Sequence, residues 1–205
     1  MGLSLEEGRT AVGLARATLE AHVKMEPGRP ERWTQGSFSE TRGVFVTLNL
    51  ADPLQQRLRG CVGFPLPVKG LGDAIREATV AAASEDPRFP PVAQGELDSI
   101  VVEVSILTPP QDLESPTRQD LPSKVRIGED GLIVSDGRQS GLLLPQVATE
   151  FGLDQVEFLS QACMKAGLPP DSWLDDNTRV QVFQAEIFAE ARPRGEVVRV
   201  TPRES

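Results

Sequence analysis

The order of the strand and helix patterns constrains the fold of this chain more than any other feature of its sequence. After a helical pattern near the start of the chain, strand patterns lie at 43–48 and 61–64, a second helical pattern follows at 70–84, and residues 99–107 form the strongest strand pattern. Strands and helices therefore do not alternate regularly, as a doubly wound parallel sheet requires. The sequence predicts an α+β fold with antiparallel sheets.

Two helices have complete start signals. Ser4 and Glu7 form a capping box before a helical pattern, and Asp154 and Glu157 form another before residues 155–166. In such a box the two side chains accept hydrogen bonds from backbone N–H groups that a helix leaves free at its start. Apolar residues recur at helical spacing behind each box, so both segments are predicted to be amphipathic helices.

The composition changes after the strongest strand pattern. Residues 108–122 are rich in Pro, Asp and Ser and are interpreted as a connection between two subdomains. Further strands are predicted at 124–127, 131–135, 141–144 and, as one long strand, 178–188. Residues 191–205 are too polar and too rich in Arg and Pro for a prediction.

The charge balance disfavours several classes of function. Lys and Arg number 21 against 30 Asp and Glu, a net charge of −9, which argues against nucleic-acid partners and docking on anionic lipid. One His and two Cys without ligand-pair spacing predict no metal site, and the cofactor is left unknown by the sequence. No apolar stretch reaches the roughly 20 residues of a membrane span. The acidic N-terminus lacks a signal-peptide core, so a cytoplasmic protein is expected.

The segment 59–63, Arg-Gly-Cys-Val-Gly, is the main candidate for chemistry. Its glycines allow close backbone approach to another group, and the Arg59 guanidinium is a planar hydrogen-bond donor. Either the Cys61 thiol and Arg59 face a ligand, or Cys61 is a small buried residue and Arg59 belongs to a structural ion pair. An activated thiolate needs a neighbouring base or cation, and His22 is the one imidazole in the chain. Cys163 lies on an apolar helix stripe and is predicted to be core.

Charged residues also occur in two places where they need an explanation. Glu103 interrupts the apolar strand at 99–107, where it either pairs with Arg59 or Arg88 or lies on a face turned to solvent. Asp86 and Arg88 lie in a Pro-rich turn, which they either fix or use to face a ligand. The residues alone leave these alternatives open.

Together these motifs resemble those of the AMMECR-type domain family. Residues 58–63, Leu-Arg-Gly-Cys-Val-Gly, are similar to the six-residue signature of that family, with Val62 in place of its Ile. Other similar segments lie in the family's order at 42–48, 86–91, 103–105, 141–147, 165–168 and Trp173. The family often has Trp where this chain has Leu153. The resemblance covers about residues 4–190.

The resemblance implies two unequal subdomains, each with an antiparallel sheet and helices. The larger comprises 1–117 with 176–205 and the smaller comprises 118–175, and the signature faces a cleft between them. Cys61 is then the candidate catalytic residue. The candidate binding residues are Arg59, Gly60, Gly63, Arg88, Glu103 and Gln146.

Two functions are predicted on this basis. Bacterial and archaeal family members are associated with Memo-type and radical-SAM proteins, so the resemblance implies a protein that binds a protein or a large organic partner. The alternative is an enzyme in which the Cys61 thiolate is the nucleophile and Arg59 stabilises developing negative charge. Nucleic-acid binding has the weakest support, since no basic run or aromatic-rich strand is present.

Overall fold

The computed structural model describes residues 2–27, 36–51 and 57–200. Their contacts divide the chain into two compact units, the first within Met1–Leu107 and Glu186–Thr201 and the second comprising Thr108–Ala185. The second unit is thus longer at both ends than the predicted 118–175, because residues before and after that range pair in its sheet. The strand pairings described are antiparallel, which confirms the α+β class.

The first unit is built on a five-stranded sheet in the order β2-β1-β3-β8-β9, numbered along the chain. Its strands are β1 Val44–Leu50, β2 Arg57–Phe64, β3 Ile100–Leu107, β8 Ala185–Glu190 and β9 Val197–Val200. Helices α1 (Leu5–Lys24) and α2 (Leu71–Ser84) contact this sheet and each other. The capping box of Ser4 and Glu7 is present at the start of α1, as predicted.

One face of this sheet forms the core of the first unit. Alternate residues of β1 and β3, such as Val46 and Val104, are fully buried. Helix α2 lies close to β2 because its core face is rich in alanine. A Cβ on Gly60 would lie 2.1 Å from the carbonyl oxygen of Ala82, so this contact requires glycine.

A buried ion pair connects α1 with the sheet. Arg16 of α1 donates from Nε to the Glu190 carboxylate of β8 at 2.9 Å, and Nη2 of Arg16 contacts the same carboxylate. Glu190 also accepts a hydrogen bond from the backbone N–H of Val102 at 3.0 Å. The side chains of Arg16 and Glu190 are 11% and 4% exposed, so each charge depends on the other for compensation.

The second unit has a four-stranded sheet in the order β4-β7-β5-β6 and its own core. Its elements are β4 Gln111–Asp112, β5 Gly131–Ser135, β6 Ser140–Leu143, α3 Pro145–Glu150, α4 Gln155–Lys165 and β7 Arg179–Phe183. The capping box of Asp154 and Glu157 is present at the start of α4. Cys163 is fully buried beside Phe158 in this core, which confirms its predicted position, and burial raises the pKa of its thiol.

The strand predicted at 124–127 is wrong. A 3-10 helix occupies Arg118–Lys124, and the chain then turns. The Asp130 carboxylate accepts hydrogen bonds from the backbone N–H of Arg126 at 2.9 Å and from its guanidinium at 2.9 Å. These bonds hold the segment in a turn rather than extended.

The single strand predicted at 178–188 is also wrong, because it is two strands. β7 and β8 belong to different sheets, and Gln184 lies between them. The Thr108 N–H donates to the Gln184 carbonyl oxygen at 2.8 Å, and the Gln184 N–H donates to Thr108 Oγ1 at 2.9 Å. The chain therefore enters and leaves the second unit at residues that are bonded to each other.

Candidate functional site

A row of three polar residues crosses the first sheet on the face opposite its core. In the register of β2, β1 and β3, Cys61 lies opposite Thr47, and Thr47 lies opposite Glu103. All three side chains are half-buried. The Thr47 hydroxyl donates to the Cys61 sulfur at 3.4 Å, so the thiol has a hydrogen-bond donor within contact distance. We call these three residues the polar row.

An aromatic residue lies next to the polar row. Gly63, Phe45 and Ser105 occupy neighbouring positions in the same register. A Cβ on Gly63 would lie 2.4 Å from Cδ1 of the Phe45 ring, so the ring lies directly against the glycine backbone. The two glycines predicted for binding thus differ: Gly60 packs against α2 at the core face, whereas Gly63 lies on the face of the polar row.

The backbone of Cys61 is held by an ion pair at the edge of the sheet. β2 is an edge strand, and the Cys61 N–H donates to Asp86 Oδ2 at 2.9 Å, while Arg88 Nη2 donates to the Cys61 carbonyl oxygen at 3.3 Å. Arg88 also donates from Nε and Nη2 to the two oxygens of Asp86 at 2.9 and 2.7 Å. The pair supplies the two hydrogen bonds that a neighbouring strand would make.

These bonds keep both members of the ion pair charged. Hydrogen bonds from Arg88 are the largest cause that holds the pKa of Asp86 far below its ordinary value, and the Cys61 N–H adds to the effect. Hydrogen bonding to Asp86 raises the pKa of Arg88, and the negative charge of a Cys61 thiolate also contributes. The Arg88 guanidinium is thus held at the backbone carbonyl of the residue that carries the thiol.

Arg59 forms a second ion pair, on the same strand. It donates from Nε and Nη2 to the two oxygens of Glu96 at 2.7 and 3.0 Å, and from Nη2 to the Pro91 carbonyl oxygen at 3.3 Å. Hydrogen bonding to Arg59 lowers the pKa of Glu96. Cζ of Arg59 lies 5.9 Å from the centre of the Phe89 ring, and Cζ of Arg88 lies 5.5 Å from it.

The remaining predicted residues lie elsewhere. His22 Nε2 lies 3.2 Å from the Ser84 hydroxyl, on α2. Gln146 is exposed on α3 of the second unit. Arg59 and Arg88, the partners considered for Glu103, form their ion pairs with Glu96 and Asp86 instead.

Some residues of the site, among them Thr47, Phe89 and Glu96, were not predicted from the sequence. The polar alternation in β1 was a usable signal for Thr47, since it recurs at Glu103 on the neighbouring strand. Phe89 and Glu96 gave no such signal, because their partner Arg59 is 30 and 37 residues away in the chain. Long-range ion pairs of this kind follow from the tertiary fold.

The described residues limit two other classes of site. Among them, no group of three or more His, Cys, Asp and Glu side chains is arranged to hold a metal ion. In the same part of the chain, no helix is both long enough and apolar enough to cross a membrane.

Comparison with known proteins finds a family model, relatives and a solved structure that are similar to this chain. A model of the AMMECR1 family matches residues 12–188. A protein of Thermococcus onnurineus is 52% identical over 202 residues, covering 95% of each chain. A protein of Methanothermobacter thermautotrophicus is 54% identical over 189 residues, covering 92% of this chain and 96% of the relative. The crystal structure of the uncharacterized protein PH0010 from Pyrococcus horikoshii is similar with a TM-score of 0.75 and 49% identity, covering 97% and 98% of the two chains.

Proposed function

Since this chain belongs to the AMMECR1 family, we propose that it is a cytoplasmic binding protein whose partner contacts the polar row and Arg88. One observation carries the proposal. The charged groups next to Cys61 hold the surrounding structure: Asp86 accepts from the Cys61 backbone N–H, and Arg59 donates to the Pro91 carbonyl oxygen and to the Glu96 carboxylate. The site is therefore organised as a rigid surface.

The chemistry of this surface suits a partner with both polar and apolar groups. The polar row presents a hydroxyl, a thiol and a carboxylate, and the Phe45 ring lies beside it. Arg88 adds a cation whose side chain is 53% exposed. Mixed donors, acceptors and aromatic groups on a rigid element are typical of binding surfaces. The family association supports a Memo-type or radical-SAM protein as the partner.

The test is calorimetric titration of the full chain with a Memo-type or radical-SAM protein encoded in the same genome. We expect a dissociation constant in the micromolar range or tighter, and R88Q is expected to weaken it about tenfold, or about 1.4 kcal/mol. The matched control is R194Q, which removes another half-exposed arginine of the first unit, paired with Glu20 and Asp98. No association at micromolar concentrations, with both proteins folded, would contradict the proposal.

A second candidate function is favoured by the surroundings of the Cys61 thiol. Thr47 donates toward its sulfur, and the Arg88 guanidinium donates to the backbone carbonyl oxygen of the same residue. Both groups stabilise a thiolate, so the alternative is an enzyme with Cys61 as nucleophile and with Arg88, rather than Arg59, as the stabilising cation.

Thiol labelling across pH separates this alternative from simple binding. An enzyme of this kind has a native Cys61 that reacts rapidly with iodoacetamide near neutral pH, while the buried Cys163 reacts only after unfolding. If Cys61 also reacts only after unfolding, the enzymatic alternative is excluded.

A further inference from the structure

The strand that carries Cys61 holds the loop 86–91 at both of its ends. At the near end, the Cys61 N–H and carbonyl oxygen bond to Asp86 and Arg88. At the far end, Arg59 donates to the Pro91 carbonyl oxygen and, through two parallel bonds, to Glu96 just beyond the loop. Two positions on one strand therefore fix the loop that places Arg88 at the Cys61 carbonyl oxygen.

The middle of the loop is held as well. The Phe89 ring lies within cation–π distance of both guanidiniums, at 5.9 Å from Cζ of Arg59 and 5.5 Å from Cζ of Arg88. Movement of Arg59 would therefore release three contacts at once: those with Glu96, Pro91 and Phe89.

Arg59 and Arg88 differ in the exposed fraction of their side chains, and this difference indicates which of them a partner can reach. The Arg59 side chain is 8% exposed, and its remaining nitrogen Nη1 is buried too. The Arg88 side chain is 53% exposed. A partner can reach Arg88, whereas Arg59 is enclosed by the groups it holds.

We propose that Arg59 is a positioning residue, which fixes the loop 86–91 so that Arg88 stays at the Cys61 carbonyl oxygen, and that it does not itself contact the partner. This inference rests on the proposed function of Cys61 and Arg88 as the contact surface. It assigns the arginine of the signature to the interior of the site and the arginine of the Pro-rich turn to its surface.

The experiment measures the alkylation rate of Cys61 by iodoacetamide as a function of pH, with mass spectrometry of the Cys61 peptide. R88Q removes the cation and is expected to raise the pH of half-maximal rate. R59Q is expected to raise it in the same direction. The double variant R59Q/R88Q should shift it no further than R88Q alone, because Arg59 acts through Arg88.

Two further variants separate positioning from other effects. E96Q keeps the positive charge of Arg59 and removes the negative charge of Glu96. If only these charges acted on the thiol, the pH of half-maximal rate would fall. If the loss of the ion pair releases the loop 86–91, that pH rises. The control R16Q breaks another buried bidentate pair of the first unit. It should lower the urea midpoint without moving the pH profile.

Several results would overturn the inference: an unchanged profile in R59Q or in R88Q, a lowered midpoint in E96Q, or additive shifts in the double variant. E96Q also serves as the measurement if R59Q does not fold. A wild-type chain that binds no partner would overturn the proposed function instead, since the alkylation profiles are measured without any partner.

Discussion

The two units contain ion pairs of the same chemistry in opposite surroundings. In the first unit, Arg59 Nε lies 2.7 Å from Glu96, with the arginine side chain 8% exposed. In the second unit, Arg179 Nε lies 2.6 Å from Asp112, with side chains 60% and 48% exposed. Nearly equal distances thus accompany very different desolvation. Burial, rather than the contact distance, decides which pair the fold depends on.

The largest effect is expected where a buried pair is broken completely. Glu190→Ala leaves the Arg16 guanidinium uncompensated between α1 and the sheet, which should lower the free energy of unfolding by about 3–5 kcal/mol. Urea denaturation followed by circular dichroism measures this. If the loss of free energy of unfolding is no larger than that caused by breaking an exposed ion pair, burial does not distinguish the pairs of the two units.

The ion pair that holds Cys61 should make stability depend on acid pH. Asp86→Asn is expected to cost about 1.5–3 kcal/mol at neutral pH, because a charged acceptor is lost. The lowered pKa of Asp86 in the folded state means that the advantage of the wild type is complete above the ordinary Asp pKa of about 4. It declines as the pH falls toward the folded value.

Paired urea titrations of the wild type and Asp86→Asn at several pH values test this dependence. A difference between the two proteins that stays constant from neutral pH to below pH 4 would show that the carboxylate charge is not involved.

The units should behave alike where packing rather than charge is changed. A Cβ on Gly60 would lie 2.1 Å from the Ala82 carbonyl oxygen, and one on Gly141 would lie 2.3 Å from the Ala166 nitrogen. Gly60→Ala and Gly141→Ala are each expected to cost about 1–3 kcal/mol. Gly95→Ala is the control, since a Cβ there has no described atom within 4 Å. Thermal unfolding of the three variants makes the comparison.

The smallest effect is expected at the exposed pair of the second unit. Arg179→Gln should leave the urea midpoint at the wild-type value, because water solvates both partners and long side chains lose entropy when paired. A shift as large as that of Glu190→Ala would mean that exposure does not explain the difference between the units.

Local signals were sufficient for some elements of the fold. The capping boxes before α1 and α4 involve residues only three positions apart, so the sequence alone predicted them. Both are present in the structure. Helix α3 and strand β9 were not predicted, since β9 exists through its pairing with β8. The break at Gln184 was missed because an alternating pattern continues through it while the chain changes sheets.

The candidate site was only partly predictable for the same reason. Cys61, Arg88 and Glu103 were singled out by their residue types within strands and a turn. The polar row depends on strand register, and the Arg59–Glu96 pair depends on where a distant 3-10 helix, Gln94–Ser99, lies against β2. The sequence left open whether Arg59 faces a ligand or belongs to a structural ion pair, and its pairing with Glu96 became visible only in the tertiary structure.

The hydrogen bonds between Thr108 and Gln184 have a consequence for how the chain is divided between the two units. These bonds join the residue that follows β3 to the residue that precedes β8, and the two strands are neighbours in the first sheet. The residues between them form one continuous segment whose two ends are hydrogen-bonded to each other, as in a domain insertion. The second unit is therefore an insertion between two neighbouring strands of the first sheet.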